Sequence, residues 1–162
     1  MYICILNIYY LALYNYTSVN GNQFTIGIIF GLSDFCGCLF GEVILSFVPD
    51  WIGMIWSIIL VMIASILLKM SEIDQMTTYG IFFAQIFFIN IAYIAAGVIL
   101  ESRTNPKHLA EAFENYLCFG SSSAMICPII ALQPEPAPIT MFMTCGILVI
   151  GIVIKIGPSK LT

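Results

Sequence analysis

Residues 77–100 read TTYGIFFAQIFFINIAYIAAGVIL, an unbroken stretch without one charged side chain. A hydrocarbon layer about 30 Å thick is crossed by roughly 20 helical residues, so this stretch is long enough to span it. Its neighbours repeat the pattern. Residues 51–68, 115–134 and 136–154 also carry no charge, and residues 23–47 carry only Asp34 and Glu42. A shorter apolar stretch, Tyr2–Tyr14, precedes them. Six spans are therefore predicted: Tyr2–Tyr16, Phe24–Phe47, Trp51–Leu68, Thr77–Leu100, Asn115–Leu132 and Ile139–Ile154. With 60% hydrophobic and 9% charged residues and a mean hydropathy of +1.02, the chain has too little polar surface to cover a water-soluble globule of 18.0 kDa. The apolar runs are continuous rather than alternating, which favours helices over barrel strands, and a helix satisfies its own backbone hydrogen bonds in lipid. The expected fold is an all-α membrane bundle of six transmembrane helices, one domain over residues 1–162.

The breaks between spans carry their own signals. Asn20-Gly21-Asn22 makes a turn, and Val48-Pro49-Asp50 ends the second span because proline has no amide donor and restrains the residue before it. Lys69–Gln75 is a polar link, and Glu101–Glu114 is expected to be the longest polar loop, with five charged residues and His108. Pro134-Glu135-Pro136-Ala137-Pro138 makes a stiff turn. Four basic residues, Arg103, Lys107, Lys155 and Lys160, fall on the side shared by both termini, against Lys69 alone on the other. The positive-inside bias then places both termini in the cytoplasm. The sequon Asn15-Tyr16-Thr17 falls on the predicted outer side. The first stretch lacks the basic start and small-residue cleavage site of a secretory signal, and its shortness is expected if the chain begins partway through a span.

Several functions find no residues to carry them. The net charge of −4 is scattered through short segments, with no basic patch for nucleic acid. The six cysteines, Cys4, Cys36, Cys38, Cys118, Cys127 and Cys145, all lie in predicted spans and read first as small apolar residues. Cys36-Gly37-Cys38 has the wrong spacing for zinc, so no metal and no cofactor is expected. Ser121-Ser122-Ser123 lacks a Gly-x-Ser-x-Gly frame, and no glycine-rich phosphate loop exists. The chain is not expected to be an enzyme.

Function must then lie in polar residues kept inside the spans. An acid at mid-membrane is costly and turns to a bundle interior or a wet cavity. Gly27, Gly31, Asp34, Cys38, Gly41 and Glu42 fall within about 100° of one another on the second span, and Gly27-x-x-x-Gly31 and Gly37-x-x-x-Gly41 admit close helix contact. This stripe is expected to face inward, with Asp34 as a proton or cation site and Glu42 nearer the inner end. The competing reading of each acid is a packing residue bonded to a neighbouring helix. Weaker polar faces join Asn7, Tyr10 and Tyr14 in the first span, Gln85, Tyr93 and Gly97 with Asn90 beside them in the fourth, and Tyr116, Gly120 and Ser123 in the fifth. Spans one, two, four and five are expected to line a cavity. Spans three and six are expected to be outer supports, with Ile59, Val61 and Val149 the more exposed.

Glu101, Pro106, Lys107-His108, Gly120 and Pro128 follow an order that resembles the region after the tenth helix of major facilitator superfamily transporters of the organic cation/anion type. Pro49-Asp50-Trp51-Ile52-Gly53-Met54 is similar to that family's Asp-Arg-x-Gly-Arg inner loop, with Asp50 and Gly53 retained and both arginines replaced. Asn7-Ile8-Tyr9-Tyr10 resembles the start of the seventh helix, and Asp34 falls where such carriers hold an acid in the eighth. The resemblance implies two inverted three-helix repeats, residues 1–70 and 71–162, forming one of two bundles that rock about a central site. It also implies a gating role for Asp50, Gly53, Glu101, Lys107 and His108, and a missing N-terminal bundle. Two readings stand at this point: a half-length or truncated secondary transporter of small organic solutes, or a non-transporting, carrier-derived subunit that packs against another membrane protein.

Overall fold

The computed structural model describes residues 2–15, 22–68, 74–131 and 137–156. Among them the regular secondary structure is entirely helical: α1 Tyr2–Asn15, α2 Gln23–Phe47, α3 Asp50–Leu67, α4 Gln75–Arg103, a 3-10 turn Pro106–His108, α5 Leu109–Ala124, α6 Cys127–Ala131 and α7 Ala137–Ile156. Three of these, α2, α3 and α4, are long and apolar enough to cross a membrane, and shorter apolar segments lie at Ile3–Leu13 and Ile139–Lys155. The readings placed on residues 16–21, 69–73, 132–136 and 157–162, including the sequon, Lys69, Lys160 and most of the proline turn, lie outside the described residues.

Local chemistry sets the helix starts. The Asn22 side chain accepts from the Phe24 amide at 2.9 Å and opens α2. Asp74 accepts from the amides of Met76 and Thr77 and opens α4. Both satisfy donors that a first helical turn leaves unpaired. Proline breaks the chain twice. Pro49 separates α2 from α3. Pro128 lacks the donor that would bond the carbonyl of Ala124, four residues earlier, and α5 ends at Ala124. The predicted fifth span is therefore two helices joined at Met125-Ile126. It also starts earlier than expected, because Glu101–Glu114 is not a loop. α4 continues to Arg103, the Asn105 side chain caps the turn at Lys107, and α5 begins at Leu109.

α4 is the central helix, packed broadly on α3 and α2 and also against α1. α1 in turn meets α5, α6 and α7, and α7 meets α3. Ile5, Ile8, Met54, Ile58, Phe82, Ile86, Ile89 and Phe142 fill the space between them. Two expectations about packing are corrected here. Val61 and Val149 are fully buried, so α3 and α7 are core elements, not outer supports. The most exposed of the three long helices is α2, which shows Phe24, Ile28, Leu32, Phe35, Leu39 and Phe47 outward. Its buried residues are Ile26, Ser33, Gly37, Gly41 and Leu45, a face turned about 80° from the expected stripe at 100° per residue. Gly27, Gly31, Cys38 and Glu42 are exposed, whereas Gly37 and Gly41 are buried as expected. The reason is the partner: α4 presents Asn90 and Ile94, and only the Gly37–Gly41 pair leaves room for them.

Candidate functional site

α2 approaches α4 closely at Gly37 and Gly41. A Cβ placed at Gly37 would stand 2.7 Å from the Cβ of Asn90, so the absence of a side chain is what admits Asn90 to this level. Asn90, 6% exposed, uses its amide nitrogen twice, donating to the Ile86 carbonyl at 3.1 Å and to Asp34 Oδ1 at 2.9 Å. From α1, the Tyr9 hydroxyl donates to the same Oδ1 at 3.4 Å. Asp34 is half-buried at the edge of the α2 packing face, where it can reach both neighbours. Three helices thus converge on one carboxylate. Tyr9 is held by edge-on ring contacts with Tyr10 at 5.7 Å and Phe30 at 6.2 Å.

Both donors to Asp34 are neutral. The described basic residues Arg103, Lys107 and Lys155 are all exposed, and among the described residues no salt bridge involves Asp34. Asp34 thus has two neutral donors and no charged partner among the described residues. Among the described residues no cluster of three His, Cys, Asp or Glu side chains is placed to hold a metal ion.

The other candidate residues divide. Asn90 joins Asp34 directly, and Tyr10 reaches the cluster through the ring of Tyr9. Gln85 does not: five positions before Asn90, it lies about 140° around α4 and donates to Ser65 Oγ of α3 at 2.8 Å. It is a buried packing link, continued by the Ser65 bond to the Val61 carbonyl. Tyr93 points toward α5, its ring 6.4 Å from that of Tyr116. The side chains of Tyr14 and Ser123 lie outside the described residues. Glu42 is exposed, apart from the cluster.

The loop-motif residues are likewise separate. Asp50 is half-buried in the first turn of α3, where a carboxylate favours the helix dipole. Gly53 is buried, and a Cβ there would stand 2.6 Å from Leu45 Cδ2, so it serves the contact of α3 with α2. Glu101, Lys107 and His108 are exposed, with His108 Nδ1 3.6 Å from Glu111 Oε2.

Tyr9 is the site residue that sequence reasoning passed over. Tyr9 and Tyr10 are chemically identical neighbours on a helix without a strong polar face, and only Tyr10 aligns with Asn7 at helical spacing. Asn7 itself is buried, with its Oδ1 3.3 Å from Cys127 Sγ on α6. Comparison with protein-family models, curated proteins and solved structures finds no match for this chain.

Proposed function

We propose that this chain is a six-span bundle of a secondary membrane transporter for small, charged organic solutes, with Asp34 as the substrate- or proton-binding acid. The observation that carries the proposal is the convergence of Tyr9, Asp34 and Asn90 from three helices, with no basic partner among the described residues. An acid so placed inside a membrane is costly until a cation or a proton joins it, and either would be cargo or coupling ion for a carrier. The favoured cargo is cationic, since the rings of Tyr9, Tyr10 and Phe30 beside the carboxylate suit a positively charged group.

Support for the two-repeat arrangement comes from the pairing of helices. α1 packs on α5–α6 and α7 as α4 packs on α2 and α3, while α1 meets α4 and α3 meets α7. Exchanging the first three spans for the last three leaves this pattern unchanged, as inverted three-helix repeats of a major facilitator half would require. On this reading the chain is multi-pass with cytoplasmic termini, and a second six-helix bundle completes the pathway.

The rival reading is a non-transporting subunit that packs on another membrane protein. It is favoured by the exposed face of α2, where Glu42 stands among large apolar side chains. The two readings separate in one experiment. The complex containing this chain is purified from membranes, reconstituted in vesicles and tested for uptake of tetraethylammonium under an imposed pH gradient. Uptake is expected, and Asp34→Asn should abolish it while leaving the complex assembled. Uptake unchanged by Asp34→Asn reduces Asp34 to a packing residue. No uptake by the assembled complex leaves the subunit reading in place.

A further inference from the structure

The side chains around Asp34 hold more acceptors than hydrogens to give them. The Asn90 amide donates to the Ile86 carbonyl at 3.1 Å and to Asp34 Oδ1 at 2.9 Å, which engages both hydrogens of its nitrogen. Both neighbours are acceptors, and that fixes the amide with its nitrogen, not its oxygen, toward them. The single hydroxyl hydrogen of Tyr9 goes to the same Oδ1 at 3.4 Å. Every donor of the three side chains is thus engaged, and what remains is acceptor. Among the described residues no hydrogen bond reaches Asp34 Oδ2 or Asn90 Oδ1. Neither oxygen is sealed in the core without a partner, so both are open to a group arriving from outside.

We infer that the site selects organic ammonium ions that keep at least one N–H, with Asp34 Oδ2 and Asn90 Oδ1 as the accepting atoms; this rests on the reading of Asp34 as the binding acid and adds which cations it prefers. A protonated primary amine brings a full charge and three hydrogens. Its bond to the carboxylate is charge-assisted, roughly twice as strong as a bond between neutral groups. A quaternary ammonium of similar shape brings the same charge and suits the faces of Tyr9, Tyr10 and Phe30. It brings no hydrogen. Its methyl groups would cover both open oxygens and displace the water that otherwise bonds them. A site whose acceptors an analogue leaves unpaired discriminates against that analogue. A solute that only accepts meets no available hydrogen and is repelled by the carboxylate. Asn90 is the specificity-determining residue, because the Ile86 carbonyl holds its amide on α4 and the bare Gly37 backbone brings that amide level with Asp34.

The test compares phenethylammonium with its N,N,N-trimethyl counterpart, two ions with one body and one charge that differ in their N–H groups. Their binding to the purified complex containing this chain is measured by titration calorimetry in detergent, where passive crossing of a membrane by the amine plays no part. Phenethylammonium is expected to bind at least about tenfold more tightly. Asn90→Ala should narrow that ratio, and Asp34→Asn should weaken both ions. Asn90→Ser serves as the second variant if the alanine form does not assemble. Equal binding of the two ions overturns the inference and leaves the transporter reading standing, since the acid then takes either cation. A ratio unmoved by the Asn90 variants overturns the assignment of Asn90. Binding of neither ion by the assembled complex overturns both the inference and the reading of Asp34 beneath it. The ratio in the unaltered chain decides the class of cation even where both Asn90 variants fail to assemble.

Discussion

Gly37 is the residue on which the Asp34 cluster most directly depends. Its missing side chain lets α4 approach until Asn90 reaches Asp34 Oδ1. Gly37→Ala puts a methyl group 2.7 Å from the Asn90 Cβ, closer than carbon atoms tolerate, so α2 must withdraw from α4. Overpacking of this kind costs about 1–3 kcal/mol, and the Asn90–Asp34 bond should lengthen with it. Gly27→Ala is the control. Nothing stands within 4 Å of its Cβ position, and alanine is the better helix former by up to about 1 kcal/mol. Thermal unfolding in detergent should show the first variant lowered and the second unchanged or raised. A chain in which both behave alike would mean that α2 packs through its other face. That choice of face was not legible in the sequence. Both faces carry small residues at helical spacing, Gly27 and Gly31 on one and Ser33 and Gly37 on the other, and the deciding fact is the shape of Asn90 and Ile94 on another helix.

At the scale of elements, the caps and breaks decide where helices begin and end. Asp74 opens α4, and the Thr77 hydroxyl, then the amides of Thr77 and Met76, hold its carboxyl below the usual carboxylate range. A depressed pKa means that the folded state favours the ionised acid. The stabilisation is complete above the ordinary carboxylate pKa and is lost as pH falls through the lowered value. Asp74→Asn keeps a capping acceptor without a titrating group, so the acid-side decline in unfolding temperature should become shallower in that variant. A decline equal to that of the parent would assign the pH sensitivity to other acids. Pro128 acts on α5 and α6 in a different way, by removing a donor from the middle of a helix-forming run. Pro128→Ala should let the helix run from Leu109 through Ala131, seen as protected amides at Met125 and Ile126 in hydrogen exchange. Persistent fast exchange there would mean that packing, not proline, bends the segment. The proline lies within the predicted span, but the apolar run passes through it unbroken, so hydropathy alone does not show the break.

For the whole molecule, the helical content was legible because long uncharged runs leave the backbone no other way to pair its polar groups. The order of layers was not. α3 and α7 look uniformly apolar, and a helix that is apolar all round can face either lipid or core. Val61 and Val149 are fully buried because α3 packs on α4 and α7 on α1 and α3, contacts that arise only when distant parts of the chain meet. The crossing direction is a property of this same scale. α4, with 29 residues, is about 43 Å long at 1.5 Å per residue, more than a hydrocarbon layer of about 30 Å. Its ends, Gln75 and Arg103, should therefore emerge on opposite sides of a membrane. By the positive-inside bias, the basic residues beyond its C-terminal end and near the end of α7 are expected to hold those two ends together on the cytoplasmic side. In a cysteine-free background, single cysteines at Gln75, Lys107 and Lys155 can be tested with a membrane-impermeant maleimide on sealed cells. Gln75→Cys should label from outside, while Lys107→Cys and Lys155→Cys should label only after permeabilisation. Outside labelling of Lys107→Cys with Gln75→Cys protected would invert the bundle. Outside labelling of both would mean that α4 does not cross, and the six-span arrangement would fall with it.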